Sequence, residues 1–266
     1  MAITGFDGVI AGGQPPQFMF KGLSGTLVAG RPFTPIYQAG IPGPAVANSA
    51  GVAGAALTSY AGLIPFTNPG AGNSYLARLT GENSAIPGQW QLMDRLWHNS
   101  GLSVTLTSSQ TVNSAALPAR DRNGSTNGDG VYCALEISGA TGAGTPTITL
   151  GYTNSAGTSG RTATLINATA ASSAAGTFYV FALQAGDVGI RSIQSYQQSA
   201  TWTSGTLHLV MFRFLGEVPV GTSGGAAGPL ELALPRLYDN TCLQPVFVSG
   251  STTTGLLSGS FTVTQG

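Results

Sequence analysis

Hydrolase chemistry in this chain would depend on two histidines, because His98 and His208 are the only candidates for a general base. A Ser–His–Asp arrangement needs a nucleophile, a positioned base and an acid that orients the base. His208 lies in a run of apolar residues that is typical of a buried strand. Asp94 precedes His98 by four residues and would pair with it if the stretch were helical. No Gly-x-Ser-x-Gly motif is present, so we expect both histidines to be structural, and we expect no catalytic residues and no enzyme activity.

Oxygen-bearing side chains recur at alternate positions in one loop, as they do in calcium-binding loops. They are Asp121, Asn123, Ser125, Asn127 and Asp129. The sixth position holds Thr126 instead of Gly, and the twelfth holds Tyr132 instead of Glu. A solvent-exposed hairpin loop explains the same residues. The sequence contains no clustered Cys and His ligands for zinc, no Walker loop and no dinucleotide fingerprint. We therefore expect no metal and no cofactor, with this loop as a weak candidate for calcium.

Large aromatic residues could stack on sugars or bases. The candidates are Trp90, Trp97, Trp202 and Tyr152. They fall in strand patterns, where aromatic side chains usually form the core, so we expect core packing. Paired carboxylates for sugar hydrolysis would have to come from only ten acidic residues, several of them in turns.

Charged residues make up only 8% of the 266-residue chain, and ten basic residues balance ten acidic ones. Ordinary globular proteins have roughly 25% charged residues, and neutrality promotes association. Because nucleic-acid binding depends on Lys and Arg, we expect no nucleic acid partner. The uncharged stretch 45–64 is too polar for a membrane span, and no basic region opens a signal peptide. We expect no membrane partner, synthesis in the host cytoplasm, and reduced thiols at Cys133 and Cys242.

Residues 1–72 contain eight of the fifteen prolines and only three charged residues. Pro fixes φ and removes a hydrogen-bond donor, so long helices and central strands are not expected there. Apolar anchors nevertheless recur, and the ones that we expect to make assembly contacts are Phe18, Phe20, Phe33, Ile36 and Tyr37. We predict an extended Gly/Pro-rich N-terminal arm that lies either on its own domain or on a neighbouring subunit.

From residue 73 the apolar residues recur with the period of two that indicates half-buried strands. Expected strands are 74–80, 102–107, 131–137, 146–152, 161–168, 177–183, 189–197, 206–215, 244–249 and 260–265. Residues 89–99 fit a short helix or a strand equally well. Gly and Asn in the connections favour tight turns. We therefore predict an all-β domain over 73–266, a β-sandwich with the jelly roll as its expected type.

Several segments together resemble a group of uncharacterised structural proteins that tailed-phage genomes encode. The segments are 94–101 (DRLWHNSG), 110–114 (QTVNS), 119–124 (ARDRNG), 150–162 (LGYTNSAGTSGRT), 183–187 (LQAGD) and 189–195 (GIRSIQS). The resemblance covers roughly residues 75–215. It implies a component of the virion and brings no catalytic residues with it.

The leading functional hypothesis is a capsid decoration (cement) protein that stabilises a bacteriophage shell through contacts between subunits. Its expected partners are other copies of itself, as a homotrimer, and the major capsid protein or other virion proteins. A tail, baseplate or fibre-associated protein is the alternative within the virion. A carbohydrate-binding β-sandwich for attachment to the host surface is the alternative of another class.

Overall fold

The computed structural model describes residues 3–23, 26–85 and 87–266. Strands account for 43% of the chain and helices for 5%, which confirms the all-β class. Neither helix of the described ranges is long and apolar enough to cross a membrane. In chain order the elements are α1 (Phe6–Ala11), β1 (Gln17–Leu23), β2 (Pro32–Phe33), a 3-10 helix (Pro35–Tyr37), β3 (Gly40–Ile41), β4 (Ala55–Ala56), β5 (Ser74–Asn83), β6 (Gly88–His98), β7 (Gln110–Thr111), β8 (Val131–Gly139), β9 (Ile148–Asn154), β10 (Arg161–Leu165), β11 (Phe178–Ala182), β12 (Ile190–Gln198), β13 (Thr206–Val220), β14 (Gly225–Ala227), α2 (Pro229–Leu232), β15 (Arg236–Leu237), β16 (Leu243–Ser249) and β17 (Gly255–Gln265).

The chain divides into two compact units, and this division differs from the boundary expected near residue 72. Unit 1 contains Met1–Ala45, Thr58–Asp94 and Phe214–Gly266, whereas unit 2 contains Val46–Leu57 and Arg95–Arg213. The difference arises because β1, within the expected arm, pairs antiparallel with the last strand, β17. The N-terminal segment is therefore part of a sheet of unit 1.

Unit 1 is built as two packed layers. One sheet has the strand order β14-β5-β17-β1-β3, with β15 also paired to β5. The other layer contains β2, β16 and the part of β6 up to Asp94. Their facing side chains form a single apolar core that includes Met19, Leu79, Trp90 and Phe261. This packing confirms the sandwich architecture.

Unit 2 has a sheet with the order β13-β8-β11-β10-β9-β12-β7. Inward residues from both ends of this order, such as Leu135 on β8 and Ile193 on β12, belong to the same core. The sheet therefore curls around one interior, to which β8 and β12 both contribute buried residues. The jelly-roll type stays a prediction.

The structure decides the predictions for two segments, 89–99 and 102–107. The ambiguous stretch 89–99 is strand β6 and not a helix, because its backbone pairs with β16 in register from Leu243↔Asp94 onwards. The prediction of a strand at 102–107 is wrong. Leu102 and Val104 do point into the core of unit 2, but the N–H and C=O of Ser103 bond to the side chain of Gln110 instead of to a neighbouring strand.

Candidate assembly surface

The five residues predicted to make assembly contacts separate into buried and exposed sets. Phe33 and Ile36 are 2% and 0% exposed and belong to the interior of unit 1, and Tyr37 is half-buried. Phe18 and Phe20 are 51% and 38% exposed. Only these last two offer a large apolar surface to another molecule.

The alternation of β1 explains why the two phenylalanines lie outside. Met19, Lys21 and Leu23 point inward and are almost fully buried, so the residues between them must face outward. The rings of Phe18 and Phe20 stack on each other on this outer face, with centroids 6.3 Å apart and an angle of 18° between their planes. Two aromatic rings held side by side form a rigid contact surface that loses little conformational entropy on binding.

Two further side chains enlarge this apolar surface. Ile41 on β3 lies opposite Phe20 and is 56% exposed. Leu256 on β17 lies opposite Gly22 and is 46% exposed. We call the four residues Phe18, Phe20, Ile41 and Leu256 the apolar patch. Sequence reasoning missed Ile41 and Leu256 because their neighbours across the sheet are set by strand pairing and not by sequence spacing.

A buried lysine holds the segment that carries Ile41. Lys21 points inward from β1, and its Nζ donates hydrogen bonds to the carbonyl oxygens of Gln38 at 3.1 Å and Gly43 at 3.2 Å. Burial lowers the pKa of Lys21 from its usual 10.5 to about 8. These two hydrogen bonds of Lys21 therefore fix β3 against β1.

The two histidines are both buried within unit 2, each only 4% exposed. Arg95 donates from Nε to Nδ1 of His98 at 3.2 Å and from Nη1 to Glu136 at 2.6 Å. Burial, with smaller effects from Arg95 and His208, lowers the pKa of His98 to about 2. Burial also lowers the pKa of His208. Both rings are therefore neutral parts of the interior at neutral pH.

The carboxylate of Asp121 organises the loop that resembles a calcium site. Its Oδ1 accepts the N–H groups of Asn123 and Ser125, and its Oδ2 accepts the Ser125 hydroxyl and the N–H groups of residues 128 and 129. Burial alone would raise the pKa of Asp121, but these hydrogen bonds outweigh it and lower the pKa. Because the two carboxylate oxygens of Asp121 already accept five hydrogen bonds from the loop itself, they stabilise its turn.

The other oxygen ligands of that loop are also bound to protein groups. Asp129 accepts a hydrogen bond from the side chain of Asn123 at 2.9 Å, and Asn127 accepts one from Arg191 at 2.9 Å. Across residues 3–23, 26–85 and 87–266, no group of three acidic, His or Cys side chains is placed to hold a metal ion. These contacts account for the geometry of the loop. Because β7 pairs with β12, and β8 pairs with β11 and β13, the loop between β7 and β8 is not a hairpin.

The aromatic residues considered for ligand stacking are core residues. Trp90, Trp97, Trp202 and Tyr152 are all 0% exposed. The hydroxyl of Tyr152 donates to Asp187, which ties a loop to β9. Cys133 and Cys242 are both buried and are not joined by a disulfide, and burial raises the pKa of Cys133.

The comparisons with known proteins give distant likenesses only. No protein-family model matches the chain, and no curated protein matches it. Among solved structures, the chain is similar to VP2 of infectious bursal disease virus in a subviral particle, with 10% identity over 95% of this chain and 80% of that chain and a TM-score of 0.19. The structure of the Gx strain of the same virus gives 10% identity, the same coverage and a TM-score of 0.18. At such low TM-scores neither likeness enters the functional argument.

Proposed function

We propose that this chain is a structural component of a bacteriophage virion, and specifically a capsid decoration protein. The apolar patch is the observation that carries this proposal. Soluble monomers rarely leave stacked aromatic rings and two branched aliphatic side chains together in water, and such patches mark interaction sites. The near absence of charge and the resemblance of residues 75–215 to tailed-phage structural proteins support the same role.

The patch suits a contact that is permanent and independent of salt. Each 100 Å² of apolar surface that a partner covers would contribute roughly 2.5 kcal/mol before the costs of ordering. Because all four side chains are apolar, screening by salt would change this contribution little. We propose that the partner is the major capsid protein or another copy of this chain within a homotrimer.

The location within the virion is tested by quantitative mass spectrometry on phage heads and tails that have been separated from each other. A decoration protein should be present in hundreds of copies in the head fraction. A few copies in the tail fraction would favour a tail, baseplate or fibre-associated protein instead. Absence from both fractions would refute a virion role.

The surface itself is tested by substitution. Phe20→Ser and Ile41→Ser should each weaken binding to capsids that lack the protein, by about tenfold or more for a loss of roughly 1.5–3 kcal/mol. Ile166→Ser is the matched control, because Ile166 is 63% exposed and lies in unit 2, outside the patch. If the control weakens binding as much as the patch variants do, the patch is not the contact.

A further inference from the structure

A groove lies on the outer face of the unit 1 sheet, next to the apolar patch. Its floor follows one row of residues across four paired strands. Phe18 on β1 lies opposite Ser260 on β17, Ser260 lies opposite Thr80 on β5, and Thr80 lies opposite Ala226 on β14. The three residues beyond Phe18 have short side chains. Neighbouring strands are about 4.8 Å apart. Ser260, Thr80 and Ala226 therefore form a shallow strip roughly three strands wide beside the ring of Phe18.

The floor offers hydroxyl groups that can donate and accept hydrogen bonds. The hydroxyls of Thr80 and Ser260 lie 2.8 Å from each other, and Thr80 Oγ1 also bonds to the backbone C=O and N–H of Ser260. The Ser260 hydroxyl is therefore the one of the two that keeps bonding capacity for a ligand. Ser258, also on the outer face of β17, lines the groove beside them. The groove has a volume of about 540 Å³, which is within the range of small-molecule sites, roughly 300–1,000 Å³.

Two opposite charges stand on the two sides of this strip, one before and one after Thr80 along β5. Arg78 and Glu82 are exposed, lie on the same face of β5 on either side of Thr80, and line the groove. Their Cα atoms are about 13 Å apart for four residues of extended strand. Within residues 3–23, 26–85 and 87–266, neither side chain has a hydrogen-bond or ion-pair partner. In a chain with only 8% charged residues, two unpaired charges facing one groove are available for a ligand.

We propose that this groove binds a neutral oligosaccharide, which goes beyond a structural role in the virion. Sugar hydroxyls both donate and accept, so they can bond to the carboxylate of Glu82, the guanidinium of Arg78 and the hydroxyls of the groove serines. The C–H face of a sugar ring would pack on the exposed ring of Phe18. Phosphates or a strongly acidic polymer would meet the carboxylate of Glu82, so a nucleic acid fits this arrangement less well.

The proposal is tested with the full-length chain and defined saccharides. Maltotriose, cellotriose and chitotriose are titrated by calorimetry, and contacts are detected by saturation-transfer NMR. An array of immobilised bacterial polysaccharides extends the panel. We expect at least one saccharide to bind, with saturation transfer from aromatic protons. Glu82→Gln and Arg78→Ala should each weaken this binding on the order of tenfold, because each removes a charge-assisted hydrogen bond.

Matched variants separate this site from the apolar patch. Glu217→Gln changes an exposed carboxylate that accepts a hydrogen bond from Gln91, outside the groove, and should leave saccharide binding unchanged. Ile41→Ser, in the apolar patch but outside the groove, should likewise leave it unchanged while weakening capsid binding. The proposal is overturned if no saccharide of the panel binds with a Kd below ~10 mM, or if Glu82→Gln and Arg78→Ala have no effect. It is also overturned if these two variants weaken binding to capsids but leave saccharide binding unchanged, because the groove would then be a contact with protein.

Discussion

The buried ion pair of unit 2 gives the sharpest test of how this fold is stabilised. Arg95 and Glu136 are both 0% exposed, and the distance from Arg95 Nη1 to Glu136 Oε2 is 2.6 Å. Glu136→Gln keeps the size and shape of the side chain but removes its charge. The guanidinium of Arg95 would then keep its hydrogen bonds, including those to His98 and to the amide oxygen at position 136, but would lose the negative charge of the carboxylate.

The expected loss of stability is large for a single atom exchange. With an effective dielectric constant of ~20, two unit charges at this separation attract each other by about 6 kcal/mol before solvation costs. Breaking one partner of such a buried pair typically costs about 3–5 kcal/mol. Whole domains are stable by only about 5–15 kcal/mol. We therefore expect Glu136→Gln to remove about a fifth or more of the free energy of unfolding.

Urea unfolding followed by tryptophan fluorescence measures this change, since Trp97 and Trp202 lie in the core of the same unit. Glu217→Gln is the control, and as an exposed substitution it should change the free energy of unfolding by no more than about 0.5 kcal/mol. The double variant Arg95→Met with Glu136→Leu should regain most of the loss, because apolar replacements remove both buried charges. A loss below about 1 kcal/mol for Glu136→Gln would refute the assignment of a strong buried pair.

Three further predictions concern other buried positions. The pKa of His98 is about 2 in the folded chain and 6.5 when unfolded. Between these two values the unfolded state binds more protons, so the free energy of unfolding should fall as pH falls from 6.5. In urea titrations at several pH values, His98→Gln should flatten this dependence on pH. The pKa of Lys21 is about 8 against 10.5, so stability should rise with pH across that window, and the rise should be absent in Lys21→Met. Gly259→Ala should lower the free energy of unfolding by about 1–3 kcal/mol, because the added Cβ would overlap the Trp90 ring, whereas Gly221→Ala, with open space around it, should not.

The period-two pattern predicted the all-β class, although it could not show which strands pair. The alternation at 131–137 corresponds to β8, and the alternation at 206–215 lies within β13. The same reasoning failed at 102–107, because Leu102 and Val104 are anchored in the core while a glutamine side chain replaces a strand partner. Alternation therefore indicates which residues are buried more reliably than it indicates how the backbone is hydrogen-bonded.

The placement of residues 1–72 could not be predicted for a different reason. The prolines correctly indicate short elements, but β1 pairs with β17, and Phe18 lies opposite Ser260. Local propensity contains no information about a partner more than 200 residues away. The groove was missed for the same reason, since its six principal side chains come from three strands that are distant in the sequence.

One inward residue of β1 links the interior of unit 1 to the apolar patch. Lys21 is a charged side chain on the buried face of the strand, where an apolar residue would fit the alternation. Its hydrogen bonds to Gln38 and Gly43 bracket β3, so they hold Ile41 beside Phe20. The residues of the patch point away from the core, and hence they can change with little effect on folding. A substitution at Lys21, by contrast, should disturb the patch through the position of Ile41, although Lys21 itself is buried.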